Sequence, residues 1–424
     1  MKKTFSNLDQ DLYTFTTSNG LRVYLVPFKN KKNYYAILGT MYGSQDVEFF
    51  INHQKIKTPN GTAHFLEHKM FEMEDGIDPF KFFSQSGVST NASTTFDNTR
   101  YYIWGINNLE SNIKYLLDFI YSPYFTDSNV EKEKNIINEE IAMYDDDPEW
   151  AMDDTMRKNL FYNLPVKEKI SGTKESVNEI TKEDLMQVYD TFYHPSNMVL
   201  IIGGNIKVKE LKTLIENHEK LNSFKKEHMI KRVSYDEPSD VVSEYSELYM
   251  NVQIPKLRFS IKIDKNKLSC FSDIEQNMYL GIVMTSLFGQ SSQFRELVIS
   301  EGLTTGFYVE KNNFCNYFTL DITAESDKAD MFVDEIKKTL KNVKIKPTEL
   351  ERIKKVWIAS EIRMIDNVET TVDNIYSDLM AYNQVYYNRV DYIRNLNMKK
   401  LNKLISLLDL SNQSLVMVFP KNEK

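Results

Sequence analysis

Cysteine is nearly missing from this chain of 424 residues: Cys270 and Cys315 are the only two. Two thiols cannot staple a chain of this length, so a disulfide scaffold is excluded and two buried free thiols are expected. Glycine (14) and proline (11) are also sparse, which excludes collagen-like and low-complexity classes. Positive charge is in deficit: 52 Lys+Arg against 60 Asp+Glu give a net charge of −8 and a pI near 5.5. Nucleic acid is therefore not expected as the main partner, because phosphate binding needs clustered basic charge. The longest aliphatic run, Met198 to Ile202, falls far short of the roughly 18 residues a membrane span needs. The start, MKKTFSNLDQ, has two lysines and no apolar segment behind them. No secretory signal is read there, and a cytoplasmic location is expected.

What remains is ordinary globular composition, 42% hydrophobic and 26% charged, which excludes wholesale disorder. The length allows two large domains, or about three of average size. Within it the chain repeats itself once. Alternating runs at Leu21–Phe28 and Tyr34–Gly43 read as strands, and a helix pattern follows from Ala63. Then come Gly87-Val-Ser-Thr-Asn-Ala, a strand pair ending in Thr99–Ile106, an amphipathic helix from Asn108 to Tyr121, and a long helix ending near Tyr144. Leu257–Ile263, Tyr279–Gly289, Gly302-Leu, Asn316–Thr323 and Ala329–Leu340 follow the same order in the second half. Each half also has a long helix with a Ser or Thr three residues before a Glu (Ser128/Glu131 and Thr348/Glu351), the spacing of a capping box. Two α+β domains from a duplication are expected, at 1–220 and 248–424. A charged linker over 221–247 would join them.

The residue pattern with most chemistry in it is Gly61-Thr-Ala-His64-Phe-Leu-Glu67-His68. On a helix, His64 and His68 are four apart, so both imidazoles project from one face and can grip a single Zn²⁺. Glu67 leans to the same side, placed to take a proton from a water that such an ion would acidify. The order His-x-x-Glu-His is the inverse of the zincin motif. The flanking Phe65, Leu66, Met70 and Phe71 imply a buried helix, where unpaired imidazole and carboxylate would be costly. A catalytic zinc ion usually takes three protein ligands. On the helix Asn129–Tyr144, Glu133, Ile136, Ile137, Glu140 and Tyr144 fall on one face, which puts two carboxylates among apolar neighbours. Either could complete the site; Glu139 lies about 100° around the helix and is the weaker candidate.

Taken together these segments resemble the pitrilysin/insulin-degrading enzyme/mitochondrial processing peptidase family of inverted-motif zinc peptidases, over nearly the whole chain. GTAHFLEH at 61–68 is similar to that family's zinc helix, and EKNIINEEI at 133–141 to its second zinc segment. The resemblance makes Glu140 the third ligand of one zinc ion per chain and Glu133 a supporting acidic residue. Gly87–Ala92 followed by Thr99-Arg-Tyr101 resembles the substrate-binding strand, with Asn91 and Ala92 against the peptide. Tyr193-His-Pro-Ser-Asn197 and the strand after it resemble the end of the family's first domain. The implied fold is two homologous α/β-sandwich domains, each an antiparallel-rich sheet with helices packed on it, facing each other across a chamber.

One departure stands out. Members that act alone carry an Arg and a Tyr seven residues apart in the second domain, and the corresponding positions here are Val298 and Thr305. Neither can donate a charged or phenolic hydrogen bond to a developing oxyanion. Arg295 and Tyr308 have the wrong spacing, and Tyr279 stands about where His64 would repeat. The resemblance therefore implies the zinc-bearing subunit of a heterodimer, a metalloendopeptidase whose homologous non-zinc partner supplies the missing pair, with peptide maturation as one role. The competing expectation is a non-catalytic scaffold subunit, which would be expected to have lost a ligand or the base.

Overall fold

The computed structural model describes residues 1–5, 10–51, 53–224 and 229–421. Part of the expected linker, Lys225–Glu227 with His228, thus lies outside the described residues. The described chain forms two compact units: one of 1–141, 169–234 and 360–390, the other of 142–168, 235–359 and 391–424. The crossing at 234/235 falls inside the expected linker. The segments 142–168 and 360–390, however, each belong to the unit opposite their half of the sequence.

The first unit is built on a seven-stranded sheet, in the order Lys2–Phe5, Gln10–Thr16, Arg22–Pro27, Met198–Gly204, Tyr34–Thr40, Thr99–Gly105, Ser89–Thr94. All neighbours are antiparallel except Arg22–Pro27 with Met198–Gly204. Side chains alternate between two cores. Tyr34, Ala36, Leu38, Leu200 and Ile202 join the cluster formed with Phe65, Leu66, Ile113, Leu117 and Ile137. Tyr35, Ile37, Val199 and Ile201 face Val368, Val372, Ile375 and Leu379 of the helix Val368–Tyr382. Because both faces are covered, Tyr34–Thr40 and Met198–Gly204 are buried at every position. A small sheet of Lys231–Arg232, Glu48–Ile51 and Gln54–Lys57 completes this unit's strands among the described residues.

The second unit holds a five-stranded sheet ordered Tyr245–Met250, Gln413–Pro420, Lys256–Asp264, Tyr317–Glu325, Phe307–Phe314, with the first pair parallel and the others antiparallel. Tyr279 lies in the helix Asp273–Phe288, buried, its hydroxyl accepting from the Asn397 N–H. The α+β class is thus observed in both units, and most of the elements named from the sequence recur to within a few residues, while others, such as the helices Pro148–Leu160 and Val368–Tyr382, were not anticipated. The caps do not. Thr126 and Asn129, not Ser128 and Glu131, exchange the capping hydrogen bonds at the start of Asp127–Asp145. Thr348 lies inside the helix Pro347–Met364, because Pro347 fits the first turn, where its missing N–H costs nothing. Neither cysteine forms a disulfide among the described residues, and both are exposed rather than buried, in turns outside the sheet core.

Lys262 is an exception to the apolar interior of the second unit. Its side chain is 0% exposed and pairs at 2.6 Å with Glu237, which is 2% exposed. The ammonium also donates to the carbonyls of Leu160 and Asp240, and sits over the rings of Phe161 and Tyr317. Burial alone would raise the Glu237 carboxyl, but the Lys262 hydrogen bond and the Tyr162 and Asn163 amides bring it below its ordinary value. A depressed carboxyl stabilises fully above the unfolded pKa, about 4.3 for Glu, and loses that contribution as pH falls through the folded value. Glu237→Ala leaves the ammonium buried without its partner and is expected to cost about 3–5 kcal/mol. Urea unfolding at pH 7 and pH 4 checks both statements: the wild type should lose stability on acidification more steeply than the variant. Equal slopes would rule out the pair as a source of acid sensitivity.

Candidate metal centre

The motif helix, Thr62–Lys69, begins at Gly61, whose φ of 92° is in the left-handed region. A Cβ there would stand 2.5 Å from the Ser171 carbonyl, so both the backbone angle and the close approach require glycine. Phe65 and Leu66 anchor the helix in the core. His64 and His68, one turn apart, are thereby aimed together, with ring centroids 4.6 Å apart.

Glu140 reaches this pair from the helix Asp127–Asp145, which Val130, Ile137 and Ile141 bury. Ile136 is 47% exposed, so the inward face is narrower than the sequence pattern implies. Glu140 Oε1 lies 3.7 Å from His64 Nε2, and Oε2 lies 3.5 Å from His68 Nε2. One donor atom from each residue lies within 4.8 Å of the others. Two ligands each about 2.1 Å from a tetrahedral ion are separated by about 3.4 Å. The two Nε2–carboxylate separations are close to that and too long for hydrogen bonds. Two imidazoles and one carboxylate are also a usual zinc donor set. The residues fit the ion.

Glu133 sits behind the pair. Its Oε1 is 3.0 Å from His68 Nδ1, so the Nδ1–H donates to the carboxylate and the Nε2 lone pair faces Glu140. Its other oxygen lies 3.9 Å from the buried ammonium of Lys69, which also pairs with Glu72. Burial and the neighbouring His68 push His64 down to about 4, against the pull of Glu140 and Glu133. His68 goes the other way: burial would lower it, but the Glu133 hydrogen bond and the Glu140 charge raise it. Glu133 is held below its ordinary value: burial would raise it, but the His68 hydrogen bond and charge outweigh that.

Glu67 is 9% exposed on the same helix. Burial raises its carboxyl, opposed by a hydrogen bond that Thr94 donates to Oε2. Asn91 and Ala92 lie on Ser89–Thr94, the terminal strand of the seven-stranded sheet, facing Tyr102 and Tyr101 in register. No strand pairs with the outer edge among the described residues.

Two sequence models match the chain. "Insulinase (Peptidase family M16)" covers residues 53–174, and "Peptidase M16 inactive domain" covers 179–356. A Bacillus subtilis protein named an uncharacterized zinc protease is 37% identical over 76% of this chain and 73% of its own length. This chain belongs to the M16 peptidase family. A crystal structure titled as a putative M16-like peptidase from Alicyclobacillus acidocaldarius aligns with the M16 chain at a TM-score of 0.92. It is 32% identical and covers 98% of this chain and 100% of that one. A Helicobacter pylori relative, 23% identical over 76% of the chain and 74% of its own length, is named a non-peptidase homolog. Membership in a family of zinc proteases is therefore established, and the family contains relatives named both as proteases and as non-peptidases.

The second half of the M16 chain holds no counterpart of this centre among the described residues. Val298 is fully buried and Thr305 is exposed. Arg295 is occupied by Phe307, stacking 3.9 Å from its ring and donating to its carbonyl, while Tyr308 is 78% exposed. Of the other histidines, His194 accepts the Ser196 N–H in a turn and His53 is exposed. His218 is buried and caps the turn at Leu221. Sequence reasoning missed Thr94 and Lys69. Thr94 could have been found by period two, since it shares a side of its strand with Ala92; a buried lysine leaves no such signal.

Proposed function

We propose that this chain is the zinc-bearing catalytic subunit of an M16 metalloendopeptidase. The observation that carries this is the convergence of His64, His68 and Glu140 within 4.8 Å, with a buried carboxylate, Glu67, on the same helix as the histidines. A scaffold subunit has no need to keep a base buried beside a complete ligand set, because burying an unused carboxylate costs stability. His64, His68 and Glu140 would hold one Zn²⁺ ion. When bound, zinc supplies a Lewis acid for the scissile carbonyl and lowers the pKa of water to about 7.

Glu67 removes a proton from the attacking water as the C–O bond forms. It returns that proton to the nitrogen as the C–N bond breaks, leaving a carboxylic acid and an amine. Its carboxyl is raised by burial, which favours a group that must hold a proton between the two steps. Glu133 fixes the tautomer of His68. The peptide adds its backbone to the open edge of Ser89–Thr94, beside Asn91 and Ala92, so main-chain hydrogen bonds give affinity with modest sequence preference.

The same reading covers the partner and the setting. Val298 and Thr305 offer the oxyanion no charged or phenolic donor, so in this reading a homologous non-zinc subunit supplies an Arg and a Tyr. The setting in this reading is the cytoplasm. Among the described residues no helix is long and apolar enough to cross a membrane. In this reading the duplicated domains are 1–220 and 248–424 with 221–247 between them, and peptide maturation is one role for the complex. The test is to purify the chain alone and as the complex recovered from its native host, and to assay both on a quenched peptide set. The complex should cleave, a chelator should stop it and Zn²⁺ should restore it, with the chain alone much weaker. No cleavage by either sample would leave the scaffold reading; full activity of the chain alone would remove the heterodimer.

A further inference from the structure

Glu67 has two carboxylate oxygens, and only one of them can face the water and the leaving nitrogen. We propose that Thr94 is a positioning residue that decides which oxygen this is; the proposal rests on the hydrolase reading above. Thr94 Oγ1 donates to Glu67 Oε2, which commits that oxygen and leaves Oε1 for proton transfer. A hydroxyl bonded to an ionised acceptor makes one of the stronger hydrogen bonds available to a neutral side chain.

The Thr94 side chain lies against a buried neighbour on the next strand. Thr99 is its register partner across the hairpin and is fully buried. Thr99 Oγ1 lies 3.3 Å from Thr94 Oγ1 and donates at 3.0 Å to the Tyr42 carbonyl. The turn between the two threonines is closed by the Thr95 N–H on the Asn98 carbonyl, and Asn98 Oδ1 accepts from the Tyr376 hydroxyl at 2.7 Å. The donor therefore sits at the end of a pinned hairpin rather than on a free loop.

Placement adds a second consequence. Thr94 ends the strand whose other residues, Asn91 and Ala92, line the edge proposed to hold the peptide. One rigid element thus references both the base and the backbone to be cut, keeping the free oxygen in register with the scissile bond. Misplacing a reacting group by about 1 Å can cost about 100-fold in rate.

Three variants test this: Thr94→Val removes the donor and keeps the shape, Thr94→Ser keeps the donor, and Thr94→Ala removes both. Thr94→Val in the complex should lower kcat roughly 10- to 100-fold with KM and zinc affinity, measured by chelator competition, unchanged; Thr94→Ser should recover most of kcat. Crystal structures of the metal-free variants give a readout independent of turnover: the Glu67 carboxylate should turn in Thr94→Val and Thr94→Ala, and keep its orientation in Thr94→Ser. Unchanged kcat in Thr94→Val, or an unturned carboxylate, overturns the proposal. A rise in KM that Thr94→Ser fails to reverse overturns it too, by assigning the effect to the strand. A wild-type complex that cleaves nothing defeats the hydrolase reading instead, and the carboxylate orientations still decide the role of Thr94.

Discussion

Glu67→Gln should lower kcat by about 10²–10⁴-fold while the protein keeps its zinc, its fold and its affinity for peptide. The substitution is nearly isosteric, and the glutamine carbonyl still accepts from Thr94, so the helix and the hairpin keep their contact. What is lost is the ability to carry a proton. Because the amide removes a group whose charged form burial disfavours, stability should hold or rise slightly. Turnover on quenched peptides, elemental zinc analysis and a thermal melt together check the result. Wild-type turnover in this variant would remove Glu67 from the mechanism. Loss of zinc along with turnover would make Glu67 part of the binding site rather than the base.

Glu140→Ala should abolish activity by a different route, through loss of the metal. It removes one of three converging donors, and the two imidazoles of one helical turn cannot complete a tetrahedral shell. A graded comparison makes the assignment specific. Glu133→Gln keeps all three donors and disturbs only the group that orients His68, so it should weaken zinc binding by about 10–100-fold. Glu140→Ala should exceed that by a wide margin, with activity lost even at Zn²⁺ concentrations that restore Glu133→Gln. Competition with a chromogenic chelator gives both affinities. If the order is reversed, Glu133 is the ligand and Glu140 the supporting carboxylate.

Much of the centre is legible in the sequence, for a local reason. Residues four apart on a helix share a face whatever the rest of the chain does, so spacing alone groups His64, Glu67 and His68. The same periodicity puts Glu133 and Glu140 on one side of their helix, and it cannot rank them. The family resemblance ranks them, and the geometry distinguishes them: Glu140 faces Nε2 of both histidines, while Glu133 takes the Nδ1 side of His68. Expectations about the environment of single side chains fail more often. Cys270, Cys315 and Ile136 all differ in exposure from what the sequence implies, because burial depends on which distant segment covers a residue.

The order of strands and helices, the paired histidines, the acidic helix and the family itself follow from the amino-acid sequence, since each is written in short-range spacing or in motif order. Tertiary structure decided which segments share a core: helix Val368–Tyr382 covers a sheet made from the first half of the chain, as Val372 and Ile375 meet Tyr35 and Ile37 there. It also decided that Thr94 meets Glu67 and that Lys69 lies against Glu133. Those contacts join residues 27, 64 or more than 300 positions apart, and no periodic pattern within one element encodes them. They exist because burying apolar faces on both sides of the sheet draws remote segments together, and the polar groups carried along must then find partners.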